Sequence, residues 1–217
     1  MSADFGDLPP PVTRAATSMI LLRRGRDQSA AGAEVLMGKR GAKAAFMASK
    51  YVFPGGAVDP EDLGAAAPIP AGPDCLRRLA QLIPANAPPP DALITAGLRE
   101  LAEETGLQLP HTAASADPAL RFVFRAITPP GRSRRFDARF LLADGTAVEG
   151  DATGFAQASG ELSDLRWIGL DQTRDLDLPF ITQVILAEIR ALLNGAPDQG
   201  VPFFDNSTDR PAFRRLL

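Results

Sequence analysis

The stretch "LRELAEETGL", Leu98 to Leu107, ends a helical pattern on three glutamates and a glycine. Leu93 or Ile94, Gly97, Leu98 and Leu101 give an apolar stripe over Asp91–Thr105, and Gly106 suits the position just past a helix end. Asp91 follows three prolines and is expected to cap the helix. Glu100, Glu103 and Glu104 stand at i, i+3 and i+4, so their carboxylates share one face. Like charges at that spacing repel by about 0.2–0.5 kcal/mol per pair. They also crowd the helix end where the dipole favours cations. Arg99 lies four residues before Glu103 and offsets only part of this. One reading is a solvated acidic helix face. The other is a site for a divalent cation, because converging carboxylates offer the hard oxygen ligands that Mg²⁺ or Mn²⁺ takes. Mg²⁺ fills its remaining positions with water and phosphate oxygens, which points to phosphate chemistry.

The rest of the chain supplies a frame for that helix. Its 217 residues favour one domain, or one domain with insertions, over two full domains. Charged residues make up 23% against 45% apolar, the balance of an ordinary globule with a sizeable core. A net charge of -3 implies no general basic face, so no nucleic-acid partner is expected. Cys75 is the single cysteine, which excludes an internal disulfide and favours a reducing compartment. The first residues show neither a basic start nor an apolar run, and no segment reaches the roughly 20 apolar residues of a membrane span. A cytoplasmic protein without a membrane partner is the expectation.

Residues 1–12 read as an extended N-terminal arm. Strands are expected around Met19–Leu22, over 33–41 as the second arm of a hairpin with a loop at 27–32, and at Tyr51–Phe53 running into a Pro-Gly-Gly turn. Residues 57–90 are rich in Pro and Ala and read as an insertion with one short helix, Pro73–Ile83, capped by Asp74. After the acidic helix come strands at about 119–128 and 135–143, a loop over 144–161, a strand around Leu165–Ile168, and an amphipathic helix over 179–195. Residues 196–217 form a C-terminal tail with no clear pattern. This order fits a layered α/β or α+β domain over 13–195, with a mixed sheet and helices on its faces.

Arg99 to Leu107 match the core of the Nudix box, R-E-U-x-E-E-x-G-U with U aliphatic, at every defined position. The full box reads G-x5-E-x7-R-E-U-x-E-E-x-G-U. Asp91 stands seven residues before Arg99, in place of the first Glu, and Ala85 falls where the glycine is expected. Gly55 or Gly56 of "VFPGGAV" takes the glycine's part if 57–90 is an insertion within the box loop. The chain thus resembles the Nudix hydrolases, in particular the branch of peroxisomal coenzyme A diphosphatase-like proteins with an insert inside the box. That resemblance, over roughly 15–195, implies an α/β/α sandwich with a mixed sheet and an inserted helical segment. It also implies Mg²⁺- or Mn²⁺-dependent hydrolysis of a nucleoside diphosphate derivative, and a homodimer is a family expectation. Carried over, Glu103 and Glu104 are metal ligands, Glu100 is a ligand or helps to activate water, and Arg99 orients the glutamates. Gly55 and Gly56 let backbone approach metal and phosphates. Asp91 takes the early acidic position or only caps the helix.

The substrate is less legible. Arg132, Arg134 and Arg135 cluster at a turn and are candidate phosphate clamps, against the reading of a solvated basic turn. Arg40, with Lys39, ends a strand just before the Gly turn and is a further candidate. Glu161, in the loop before the Trp167 strand, is a candidate general base, against the reading of an ordinary loop acid. His111 reads as a surface residue, Cys75 as partly buried packing, and Trp167 as sheet packing. "VLMGKRGAKAAFMASKYVFPGG" keeps Leu36, Arg40 and Phe53 to Gly56 of the upstream motif of coenzyme A-cleaving relatives. It is two residues short and lacks that motif's second Arg and middle Gly. The alternatives are a Nudix-fold module that binds a nucleotide without cleaving it, which the intact glutamates oppose, and an isopentenyl diphosphate isomerase, which lacks here an obvious Cys–Glu pairing.

Overall fold

The computed structural model describes residues 12–24, 32–64, 66, 67, 69, 71–110 and 120–217. All of the N-terminal arm but Val12, most of the first loop, and His111 lie outside these residues. Apolar, β-branched runs form strands β1 (Thr13–Arg23), β2 (Glu34–Arg40) and β3 (Tyr51–Val52). The expected Pro-Gly-Gly turn is instead partly strand: β4 (Gly55–Ala57) lies antiparallel to β1, with Gly56 opposite Thr17 and Gly55 opposite Ser18. Helices α1 (Pro73–Leu79) and α2 (Pro90–Thr105) follow, then β5 (Arg121–Ile127), β6 (Arg135–Asp144), β7 (Leu162–Gly169) and α3 (Phe180–Leu193). The segment read as a patternless tail folds into β8 (Val201–Asp205) and β9 (Ala212–Leu216).

Among the described residues, nine strands share one mixed sheet in the order β3-β2-β1-β6-β5-β8-β9, with β4 on β1 and β7 on β2. β1 runs parallel to β6 and β5 parallel to β8, while the other pairs are antiparallel. Strand alternation separates two cores. Met19 and Leu21 of β1 pack with Leu93, Ile94 and Leu101 of α2 and with Cys75 and Leu79 of α1. Ile20 and Leu22 pack on the opposite face with Ile185, Leu186 and Ile189 of α3. The expected sandwich of helices about a mixed sheet is the one found.

Two expected caps are not used. In α1, Gly72 is the flanking residue, Pro73 opens the helix, and Asp74 sits inside the first turn. In α2 the flanking residue is Pro89, and Asp91 again lies within the first turn, making no cap hydrogen bond. Proline at the first helical position needs no amide partner, so both helices start two residues earlier than an Asp cap would place them. At the far end of α2, Gly106 adopts φ 73° and its N–H donates to Ala102 O at 2.8 Å.

Candidate active site

Close packing of α2 on β1 sets the site. A Cβ on Gly97 would meet Thr17 Cγ2 at 2.8 Å and Met19 Sδ at 2.9 Å, so only glycine lets the helix approach this near. Three to seven residues on, Glu100 and Glu104 reach β4. Glu104 is 2% exposed, and its Oε2 accepts the Gly55 N–H at 2.8 Å. Glu100 lies over Gly56, where an added Cβ would stand 2.2 Å from Oε1. Gly56 leaves the room into which the Glu100 carboxylate fits, and Gly55 supplies the N–H that Glu104 accepts.

Arg99 joins the parts. Its Nε and Nη2 donate to Oδ1 and Oδ2 of Asp62, each at 3.0 Å, and Nη2 also reaches Ala57 O at 3.2 Å. Its Nη1 donates to Glu100 at 3.0 Å and Glu103 at 3.3 Å, and Asp59 stands 3.6 Å away. The hydrogen bonds that Arg99 donates to Asp62 raise its pKa further, against the effect of burial.

Asp62 is the residue that sequence reasoning missed. It closes a short 3-10 turn, Pro60–Asp62, and is 1% exposed. Burial works to raise its pKa, but the Arg99 hydrogen bonds, the Asp59 N–H at 2.8 Å and the guanidinium charge outweigh it and hold the carboxylate ionised. Five residues separate Gly56 from Asp62, the spacing G-x5-E gives the first carboxylate of the motif. The acidic partner of Arg99 is therefore Asp62 and not Asp91. Residues 57–62, expected as the start of an insertion, thus contribute Ala57, Asp59 and Asp62 to the surroundings of Arg99.

Electrostatics mark Glu100 and Glu104 as unsatisfied. Burial pushes the Glu104 carboxyl up to about 7; Glu100 and Glu161 add to this, while the Gly55 N–H and Arg40 oppose it. Burial also raises Glu100, opposed by Arg99 and reinforced by Glu103 and Glu161. Arg40 and Glu161 are thus near enough for their charges to reach the pair. A hard divalent cation fits this donor set, since it would offset the burial and the lesser mutual repulsion that now favour protonation. Among the described residues no three Asp, Glu, His or Cys side chains are already gathered at metal-binding spacing. Glu100 and Glu103 are turned to Arg99 instead.

Other expected site residues lie elsewhere. Thr13 opposes Arg135, four residues along β1 from the Thr17–Gly56 pair, or about 13 Å. Arg135 spends its donors on Thr128 O (3.1 Å) and Asn206 O (2.9 Å), tying β6 to the β8–β9 connection. Arg132 and Arg134 are exposed on the adjoining turn. Lys39 is on the strand face opposite Arg40, with Nζ 6.0 Å from the Tyr51 ring centre. Trp167 packs as expected: its Nε1 donates to Ala152 O at 2.9 Å, with the Arg23 guanidinium 3.6 Å from its ring centre. Cys75 is buried in the core.

No known protein-family pattern matches the chain, and no curated protein matches it in sequence. Solved structures do resemble it. A Nudix hydrolase from Alicyclobacillus acidocaldarius superposes with a TM-score of 0.55 at 22% identity, covering 87% of this chain and 95% of the other. A MutT protein from Methanosarcina mazei Go1 gives a TM-score of 0.51 at 17% identity, covering 87% and 99%. At these identities the likeness is one of fold, and the chain has the mixed α+β fold of these structures.

Proposed function

We propose that this chain is a Nudix hydrolase that uses Mg²⁺ or Mn²⁺ to cleave the diphosphate linkage of a nucleoside diphosphate derivative. One observation carries the reading: a buried carboxylate pair, Glu100 and Glu104, is seated against Gly56 and Gly55 with too little positive charge to balance it. That is the arrangement expected when a cation and substrate phosphates complete the site.

Glu103 and Glu104 are assigned as cation ligands, and Glu100 as a ligand or a group that helps to activate water. A bound divalent cation supplies Lewis acidity toward phosphoryl oxygens and lowers the pKa of a coordinated water. Arg99 positions Glu100 and Glu103 while itself anchored by Asp62. The narrow glycine backbone of β4 admits the diphosphate close to the helix, and Arg40 takes a phosphoryl oxygen. Glu161 accepts the proton of the attacking water. The new P–O bond forms as the bridging P–O bond breaks, and two phosphorylated products leave.

Coenzyme A or acyl-coenzyme A, NADH and ADP-ribose types are the candidate substrates. The insert between the two halves of the motif favours the coenzyme A diphosphatase-like branch, and the incomplete upstream motif opposes it. No helix among the described residues is long and apolar enough to cross a membrane. The test is a panel of coenzyme A, an acyl-coenzyme A, NADH, ADP-ribose and dinucleoside polyphosphates with each metal, with products identified by mass. Two phosphorylated products from one panel member support the proposal, and no cleavage of any member with either metal overturns it.

A further inference from the structure

Glu161 carries its carboxylate on an exposed side chain, yet its charge reaches both Glu100 and Glu104. Its place is set by the backbone that enters β7. Leu162, the next residue, pairs with Arg40, and the Ser163 hydroxyl donates to Lys39 O at 3.0 Å. On the other side, the Ser159 N–H donates to Glu103 O at 2.9 Å and ties the loop to the end of α2. The register of β7 against β2 therefore decides where Glu161 points.

That register contains a bulge. Met37 pairs with Arg166 and Lys39 with Ser163, so Asp164 and Leu165 together oppose Gly38. Asp164 takes up the extra residue at φ 48°, a left-handed conformation that residues other than glycine adopt at a cost. Without the extra residue, strand alternation would turn Leu162 to the opposite face and re-aim Glu161 with it. Gly38 admits the bulge: a Cβ there would stand 2.8 Å from Leu162 Cβ and 2.9 Å from Leu165 Cδ2.

Tyr51 fastens the bulge. From β3, on the far side of β2, its hydroxyl donates to Asp164 Oδ2. Arg166 Nη2 donates to the same hydroxyl at 3.2 Å and stands 3.6 Å from Asp164. Tyr51 is buried, and its bond to Asp164 pushes the phenol pKa up, so the proton stays on the donor. Tyr51 pairs with Lys39, on the sheet face opposite Arg40. Its effect on the carboxylate site therefore runs along β7, about 10 Å of strand from Asp164 to Glu161. A strained bulge held by its own hydrogen bond beside a site is a device that aims a side chain.

We propose that Tyr51 and Asp164 are positioning residues: their hydrogen bond fixes the β7 bulge and so holds Glu161 where it accepts the proton of the attacking water. The proposal rests on the hydrolase reading, with Glu161 as its base. Hydrogen exchange on the metal-free full chain tests the lock apart from catalysis. Amides 161–165 are expected to exchange roughly tenfold faster in Tyr51→Phe and in Asp164→Ala, with α2 and β1 unchanged and melting still cooperative. Asp164→Asn keeps an acceptor oxygen and tolerates the left-handed φ, so its exchange stays near wild type. Turnover is read on the panel of nucleoside diphosphate derivatives with Mg²⁺ and Mn²⁺. Glu161→Gln should lose roughly 100-fold in kcat. Tyr51→Phe and Asp164→Ala should lose roughly tenfold, with KM within about twofold. Added to Glu161→Gln, Tyr51→Phe should cost less than about twofold more. Wild-type exchange in both lock variants overturns the proposal. So does an equal loss from Tyr51→Phe with and without the Glu161 carboxylate, since Tyr51 then acts on something else. Full turnover in both lock variants beside an impaired Glu161→Gln overturns the lock and leaves the base. Full turnover in Glu161→Gln removes the base, and no cleavage of any panel member removes the hydrolase; either takes the proposal with it.

Discussion

Arg99 donates to both carboxylate oxygens of Asp62, at 3.0 Å each, across 37 positions of sequence. This contact closes the two halves of the motif around the insert. It also holds the guanidinium that reaches Glu100 and Glu103. Replacing Asp62 by Ala leaves a mostly buried guanidinium without its main partner, at an expected cost of about 3 kcal/mol in denaturant unfolding. Turnover is expected to fall roughly 10- to 100-fold, because Arg99 then ceases to fix the glutamates. Asp62→Glu should recover part of the turnover. Equal turnover in Asp62→Ala and wild type would show that Asp62 only supports the fold.

The two glycines of β4 should separate fold from function. A Cβ on Gly55 would stand 2.4 Å from Thr17 O, which is backbone and cannot yield, so Gly55→Ala is expected to destabilise by more than about 2 kcal/mol. The nearest atoms to a Cβ on Gly56 are those of the Glu100 carboxylate, the end of a side chain that can shift by giving up its Arg99 contact. Gly56→Ala should therefore melt within a few degrees of wild type yet lose most of its activity. Melting curves and initial rates on the same samples decide this, and an active Gly56→Ala would argue against Glu100 as part of the site.

Much of this was legible before the structure. The i, i+3, i+4 glutamates and Gly106 fixed the acidic helix end, because a strong 3.6 period and a glycine stop are local signals. Asp62 was accessible by counting forwards from Gly56, yet the insert hides it when the motif is counted backwards from Arg99. Strands β8 and β9 escaped for a different reason. Pro202 and Pro211 weaken their strand pattern, and Arg214 and Arg215 face solvent at a sheet edge, where charge is common. The place of Arg135 was not readable at all, since its partners Thr128 O and Asn206 O are set by sheet topology.

The raised Glu104 pKa gives the metal-free protein a pH signature. A carboxyl raised from 4.5 to about 7 prefers its proton in the folded state. Its stabilising contribution is therefore complete below about pH 4.5 and is lost as pH rises through about 7. In chelator, the stability difference between wild type and Glu104→Gln should shift against wild type by about 3 kcal/mol from pH 4 to pH 8. Adding Mg²⁺ or Mn²⁺ should restore wild type more at pH 8 than at pH 5, because the ionised carboxylate is the ligand. Urea titrations at four pH values, with and without metal, measure both effects. A flat difference in chelator would remove the unsatisfied charge on which the cation assignment rests.

Glu103 is the member of the trio that bears least on the fold. Its side chain is 56% exposed and its ion pair to Arg99 is solvent-screened. Glu103→Gln keeps the shape and removes the charge, so stability should change by less than about 0.5 kcal/mol. If Glu103 ligates the cation, hydrolysis should nevertheless fall by orders of magnitude, and the metal concentration for half-maximal rate should rise. A surface acid without that role would leave both unchanged. Rates over a Mn²⁺ series, run for wild type and Glu103→Gln on the same substrate, separate the two cases, and wild-type turnover in the variant would sink the ligand assignment.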